Sequence, residues 1–256
     1  MEAKALHDKI LKKSDNALDD AEQIGSAALP LLQEMLSNAD GDIRALAMSC
    51  LSVIYDDQVP EILIKAIGDA DDSVYMSVLQ ILRSRQLGSS HLPALIDHLN
   101  HPDSEVREEV PLLLGKLDNQ EAVAPLTKQL GVEDNKSVIR SIKLALARLG
   151  SDECKNEFAA CLAAEEPDDR LQAVEDLEYI NDKNLAKNLL PLLDDQADGY
   201  EIGDPDFAEY SRICDSVVNM VSDWYGQAFS FEVDDVKIYG DEEIEEARKF
   251  LESLGE

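Results

Sequence analysis

Residues 28–54 read ALPLLQEMLSNADGDIRALAMSCLSVI: an apolar run with a proline near its start, a short acidic turn, then a second apolar run. The same phrase returns at 59–82 (VPEILIKAIGDADDSVYMSVLQIL), 91–117 (HLPALIDHLNHPDSEVREEVPLLLGKL) and 123–150 (VAPLTKQLGVEDNKSVIRSIKLALARLG), and two more worn copies start at Lys155 and Lys187. Pro30, Pro60, Pro93, Pro125 and Pro191 are spaced 30, 33, 32 and 66 residues, the last interval being two periods. Each is expected in the first turn of the first helix of its copy, where the missing N–H has no partner to lose. A second marker, Ile43, Val74, Val106, Val138, Asp169 and Ile213, recurs at spacings of 31, 32, 32, 31 and 44. Positions four, eight and eleven after each marker are mostly apolar, one buried stripe at helical period, and a Ser or acidic residue before the first four is the expected helix cap.

No segment alternates apolar and polar residues for long, although 229–239 (FSFEVDDVKIY) suits a short strand or an extended loop. The predicted class is all-α, a right-handed α-α superhelix of about six helix pairs, because a single pair cannot shield its apolar side without a neighbour. One domain is expected over 1–256: an N-terminal cap at 1–27, repeats at 28–226, and a C-terminal extension with a capping helix at 227–256.

The period of about 32 residues, with an acid in the turn and Arg just inside the second helix, resembles the bacterial HEAT-like repeats, the short variety also found in phycobilin lyases. The matching residues are Asp42–Ile43–Arg44, Glu105–Val106–Arg107 and Asp168–Asp169–Arg170, while Asp71–Asp72–Ser73–Val74 is a copy without the Arg. The resemblance covers roughly 15–226. It implies a ladder in which Arg44, Arg107 and Arg170 bond to acids between neighbouring repeats. It implies little about function, since such scaffolds serve unrelated tasks.

Charge narrows the partner. Lys and Arg number 23 against 54 Asp and Glu, a net charge of −31. Such a surface repels nucleic-acid phosphates and anionic lipid headgroups, so neither nucleic acid nor membrane is expected as partner. The first residues carry charges without a long apolar run, so the chain reads as cytoplasmic, with no signal and no span. Cys50, Cys154, Cys161 and Cys214 follow no redox or zinc spacing and read as reduced, mostly buried small hydrophobes.

No catalytic residue, metal or cofactor emerges. His98 and His101, near Asp97 and Asp103, read as a solvated helix end, and none of the four histidines precedes a Glu, unlike the iron-binding His-Glu pairs of HEAT-type deoxyhypusine hydroxylases. The acids at 194–206 lack the regular spacing of a calcium loop. There is no phosphate loop and no nucleophile elbow.

Two features carry functional content. Residues 165–256 hold 27 acids and 7 bases, and the sixth copy contains an insert, DDQADGYEIGDPDFAE (194–209), between a first helix ending near Leu193 and a second starting near Glu209. Aromatic residues stand among those acids, a mix suited to fast capture and firm holding of a basic protein. The expected partner-binding residues are Asp194, Asp195, Asp198, Tyr200, Glu201, Asp204, Asp206, Phe207, Glu209 and Tyr210, and the sharpest form of this reading is an immunity protein that neutralises a bacterial toxin. Tyr210 and Trp224 also fit a core reading; Trp224 falls on the stripe eleven after Ile213. The second feature is a set of bases on second helices, Arg83, Arg85, Arg140, Lys143 and Arg148, expected to line a mildly basic concave wall. The alternative functions are phycobilin-lyase-like handling of a tetrapyrrole against that wall, or a general regulatory scaffold. HEAT-like DNA glycosylases share the fold, but this chain lacks their positive surface.

Overall fold

The computed structural model describes residues 3–14, 16–69, 72–202, 209–226 and 228–254. The fold is an all-α solenoid of antiparallel helix pairs, divided into two compact units, Met1–Ala145 and Leu146–Glu256. Unit 1 opens with α1 (Ala3–Leu11) and α2 (Ala17–Ile24). The pairs α3 (Leu29–Met35) with α4 (Gly41–Ser52), α5 (Val59–Ala66) with α6 (Asp72–Arg83), and α7 (Leu92–Asp97) with α8 (Ser104–Lys116) follow. Next come α9 (Val123–Leu130) and α10 (Lys136–Arg148), within which the division falls.

Within unit 1, α3 packs on α4, α5 on α6 and α7 on α8, while α4 packs on α6 and α6 on α8. The predicted stripe is the contact surface: Ile43, Ala47, Leu51 and Ile54 are buried, as are Val138, Ile142, Leu146 and Leu149. Pro30, Pro60, Pro93 and Pro125 stand in first turns as expected. The caps sit three residues before the marker instead of one: Asp40 accepts from the Asp42 N–H at 3.0 Å, Asp103 from Glu105 at 2.8 Å and Asn135 from Ser137 at 2.9 Å. Only there is the residue still in extended backbone with its side chain reaching the second and third N–H groups.

Unit 2 contains α11 (Asp152–Cys161), α12 (Pro167–Ile180), a 3₁₀ helix over Lys183–Asp194, α13 (Ile213–Tyr225) and α14 (Asp241–Ser253). The fifth marker, Asp169, is exposed, yet its stripe of Ala173, Leu177 and Ile180 is buried. Pro191 lies inside the 3₁₀ helix and not in its first turn, because Asn181 ends α12 in the left-handed conformation and Asp182 caps the next helix at once, accepting from Asn184 N–H at 3.0 Å. The insert and the three residues after it hold the two strands seen among the described residues, β1 (Asp198–Ile202) and β2 (Glu209–Arg212), paired antiparallel with Glu201 opposite Tyr210 and a bulge between Asp198 and Glu201. At the bulge a Cβ on Gly199 would stand 3.0 Å from Ser211 Oγ and 3.2 Å from the Ser211 carbonyl, so any larger residue must push the partner strand aside by a few tenths of an ångström. The second helix accordingly starts at Ile213, four residues later than expected. Residues 229–239 form loop and not strand, with the rings of Phe229 and Phe231 stacked and Phe229 edge-on to Phe250 of α14.

The ladder is present in three rungs. Arg44 grips Asp69 with two bonds of 2.8 and 2.9 Å, Arg107 grips Glu133 at 3.0 and 3.2 Å, and Arg170 reaches Asp195 at 2.6 Å. In each rung the second guanidinium arm donates to carbonyls of the arginine's own turn, such as Ala164 and Glu165 for Arg170. In the copy without Arg the equivalent position is Tyr75, whose hydroxyl donates to Asp103 at 2.6 Å, so a phenol replaces the guanidinium.

The Arg107 hydrogen bonds hold the Glu133 carboxyl down to about 2, against the burial that opposes it. A carboxyl depressed in the folded state contributes stability above its unfolded value of 4.5 and loses it as pH falls toward 2. The stability difference between wild type and Glu133→Gln is therefore expected to be constant from pH 8 to about 5, on the order of 1–3 kcal/mol, and to shrink toward zero near pH 2. Chemical denaturation across that range measures it, and a difference that does not vary with pH is the contrary result.

Candidate functional site

The insert is built onto unit 2 by the last rung. Asp195, held by Arg170, also accepts from Ala197 N–H at 3.1 Å, and its carbonyl accepts from Cys214 N–H at 3.1 Å, which fixes both ends of the hairpin at the start of α13. Its carboxyl is kept below the ordinary range by Arg170 despite the burial that works the other way. Asp195 is thus a structural residue. Asp194 is 77% exposed but paired with Arg248 of α14 at 2.6 Å.

Of the other residues expected to bind a partner, Asp198, Tyr200, Glu201 and Tyr210 are exposed on the hairpin. Glu209 belongs to β2, its side chain lying outside the described residues, as do Asp204, Asp206 and Phe207. Tyr210 is at the surface, whereas Trp224 is buried in α13, the core role its place on the stripe predicts.

Sequence reasoning missed four acids that extend this surface. Tyr200 donates to Glu175 of α12, which places β1 over that helix. Glu178, one turn on, has its carboxyl pushed above the ordinary range, first by the protein packed around it and then by the negative charges of Asp223, Glu175 and Asp235. Four carboxylates from α12, α13 and the following loop therefore share one field. The bases of unit 2 are largely engaged elsewhere: Lys155 with Asp182, Arg170 with Asp195, Arg212 with Asp215, Lys237 with Glu243 and Arg248 with Asp194. Spacing was the available signal, since Glu175 and Glu178 lie off the buried stripe of α12.

A second buried network, also missed, holds this end of the molecule together. Asp215 is fully buried and accepts two bonds from the Arg212 guanidinium, at 2.9 and 2.7 Å, one from Arg212 N–H at 2.8 Å and one from Tyr239 N–H at 3.0 Å. Arg212 in turn donates to the Tyr239 carbonyl at 2.6 Å and to Gln196 at 2.7 Å. One carboxylate thereby joins the insert, α13 and the C-terminal loop.

The bases expected on a concave wall are differently used. Arg83 pairs with Glu109 of α8. Arg85 donates to the carbonyls of Ser52 and Leu51 at the C-terminal end of α4 and lies over the Tyr55 ring at 4.6 Å. In unit 2 Arg148 does the same for the Tyr179 carbonyl and ring at the end of α12. These cations cap the negative ends of neighbouring second helices, a favourable place for positive charge. Arg140 and Lys143 lie on α10, both half-buried.

Burial pushes the Cys50 thiol up to about 12 and the Cys214 thiol up to about 11, so both are unreactive core groups. Cys154 is buried too, whereas Cys161 is exposed. Among the described residues no three metal-ligating side chains converge, and no helix is long and apolar enough to cross a membrane.

A family model described as HEAT repeats matches residues 61–147. Among solved structures, one described as the crystal structure of an engineered protein is similar at 17% identity with a TM-score of 0.37, over 91% of this chain and 97% of that one. No curated protein matches the chain.

Proposed function

The chain carries HEAT repeats, the architecture of a protein-interaction scaffold, and from that premise we propose that it captures a basic protein through the acidic face of unit 2. The observation that carries the reading is a hairpin exposing Asp198, Tyr200, Glu201 and Tyr210, tied to Glu175 of α12 through Tyr200 and standing with the exposed carboxylates of Glu178, Asp223 and Asp235, whose mutual repulsion adds to burial in raising the Glu178 carboxyl. A cationic partner relieves that repulsion, and the two tyrosines supply contact area at low entropic cost. A secreted, strongly basic toxin that must be neutralised quickly is the partner class this chemistry fits most closely, with the chain as its immunity protein. A tetrapyrrole held against the second-helix bases has less support, since Arg83 pairs with Glu109, Arg85 with the Ser52 and Leu51 carbonyls and Arg148 with the Tyr179 carbonyl.

The test is charge reversal. Partner captured at low salt is expected to bind Asp198→Lys/Glu201→Lys about tenfold or more weakly, chiefly through slower association, while Arg83→Gln leaves binding unchanged. Equal affinity for wild type and the double reversal refutes the acidic face as the binding surface.

A further inference from the structure

Tyr55, in the turn between α4 and α5, is 90% exposed. Its ring is held: the Arg85 guanidinium lies over it at 4.6 Å while donating to the Ser52 and Leu51 carbonyls. Two cavities meet at this pair. One, of about 430 Å³, runs along α4 and α6 past Ser49, Ser52 and Ser84; the other, of about 640 Å³, opens toward Asp56, Asp57 and Glu61.

The chemistry of the lining is one-sided. Ser49, Ser52 and Ser84 donate their hydroxyl protons to the carbonyls of Ala45, Ser49 and Ile81, at 3.1, 2.7 and 2.9 Å, which leaves their oxygens as acceptors at the cavity wall. The C-terminal end of α4 sits here, and so do three carboxylates: Asp56, which accepts from the Ser26 hydroxyl and Gln58 N–H, Glu61, which pairs with Lys65 at 2.7 Å, and the exposed Asp57, with the Arg85 guanidinium beside them. Helix ends of that sign, carboxylates and the face of an exposed phenol all attract a cation. The chain already seats one guanidinium on Tyr55, its own.

We propose that the ring face of Tyr55 not covered by Arg85 is a docking point for a lysine or arginine side chain of a protein partner, with Asp57 as its counter-charge. The proposal rests on the partner being basic, as the proposed function has it, but on a surface in unit 1 that the acidic hairpin does not include. It adds a fixed aromatic anchor to what is otherwise long-range attraction, the combination that turns a fast encounter into a held complex.

The full chain, ¹⁵N-labelled, is titrated with acetyl-arginine amide, with acetyl-norleucine amide and acetyl-glutamate amide as controls. The arginine compound alone is expected to give saturable shifts at the amides of Tyr55, Asp57, Ser84 and Arg85. Asp57→Asn should weaken that response roughly three- to fivefold, and Tyr55→Ala, at an exposed position that leaves the fold intact, should abolish it. Shifts as large with either control, no saturation with the arginine compound, or an unchanged response in Tyr55→Ala overturns the proposal. Its failure is separable from that of the proposed function: Tyr55→Ala leaves the acidic hairpin in place, and Asp198→Lys/Glu201→Lys leaves the Tyr55 titration in place.

Discussion

Replacing Asp215 by Ala is expected to destabilise unit 2 by about 3–5 kcal/mol, the range for removing one partner of a buried, hydrogen-bonded ion pair. The carboxylate is 0% exposed and accepts from Arg212 three times and from Tyr239 N–H once, so the substitution removes the counter-charge of the Arg212 guanidinium, which keeps only Gln196 and the Tyr239 carbonyl, and deprives two backbone N–H groups, those of Arg212 and Tyr239, of their acceptor. Asp215→Asn keeps two acceptor sites on its amide oxygen but loses the charge and one arm of the pair, and is expected to fall between wild type and Asp215→Ala. Hydrogen exchange reads the effect locally. Protection should collapse at the Tyr239 amide and along α13, with little change in α3 to α6, whereas unaltered protection at Tyr239 contradicts the account of this network.

Arg170→Ala is expected to cost about 2–4 kcal/mol, because it leaves the shielded Asp195 carboxylate unpaired and two turn carbonyls without donors. Lysine should recover less than half of that, since an ammonium cannot span a carboxylate and two carbonyls as a planar fork does. The rung also has a functional consequence. Asp195 anchors the first residues of the insert, so loosening it frees the hairpin that carries Asp198, Tyr200 and Glu201. Partner affinity should therefore fall with Arg170→Ala although Arg170 is not on the acidic face. A double-mutant cycle of Arg170→Ala with Asp195→Ala measures the rung, and a coupling near zero contradicts it.

The repeat was legible because its two constraints are local and periodic: a proline that a first turn accepts without loss, as in the first four copies, and an apolar stripe that a packed second helix needs. The ladder was what the resemblance to HEAT-like repeats implied for Arg44, Arg107 and Arg170, and the Tyr75 rung in the copy without Arg was not foreseen. What sequence misread depends on contacts between distant segments. Residues 229–239, which suited a short strand or an extended loop, are loop, with Phe229, Phe231 and Tyr239 packed together, whereas DGYEI and EYSR, with weaker patterns, pair as strands that the sequence did not announce. Arg85 and Arg148 resembled a basic wall because nothing in a linear pattern reveals that a helix end 33 or 31 residues away presents its carbonyls to them. The same holds for the acidic face, where Glu175, Glu178, Asp223 and Asp235 come from three segments.

The proposed capture rests less on the excess of acid in 165–256 than on its arrangement, with bases engaged in rungs and caps while carboxylates stand on α12, α13 and the hairpin. The direct test is the association rate of the captured partner as a function of salt. The account predicts a rate that falls steeply from low to physiological ionic strength and loses most of that slope in Asp198→Lys/Glu201→Lys, with dissociation little changed. An association rate indifferent to salt, or a slope that survives the double reversal, would contradict capture through the acidic face.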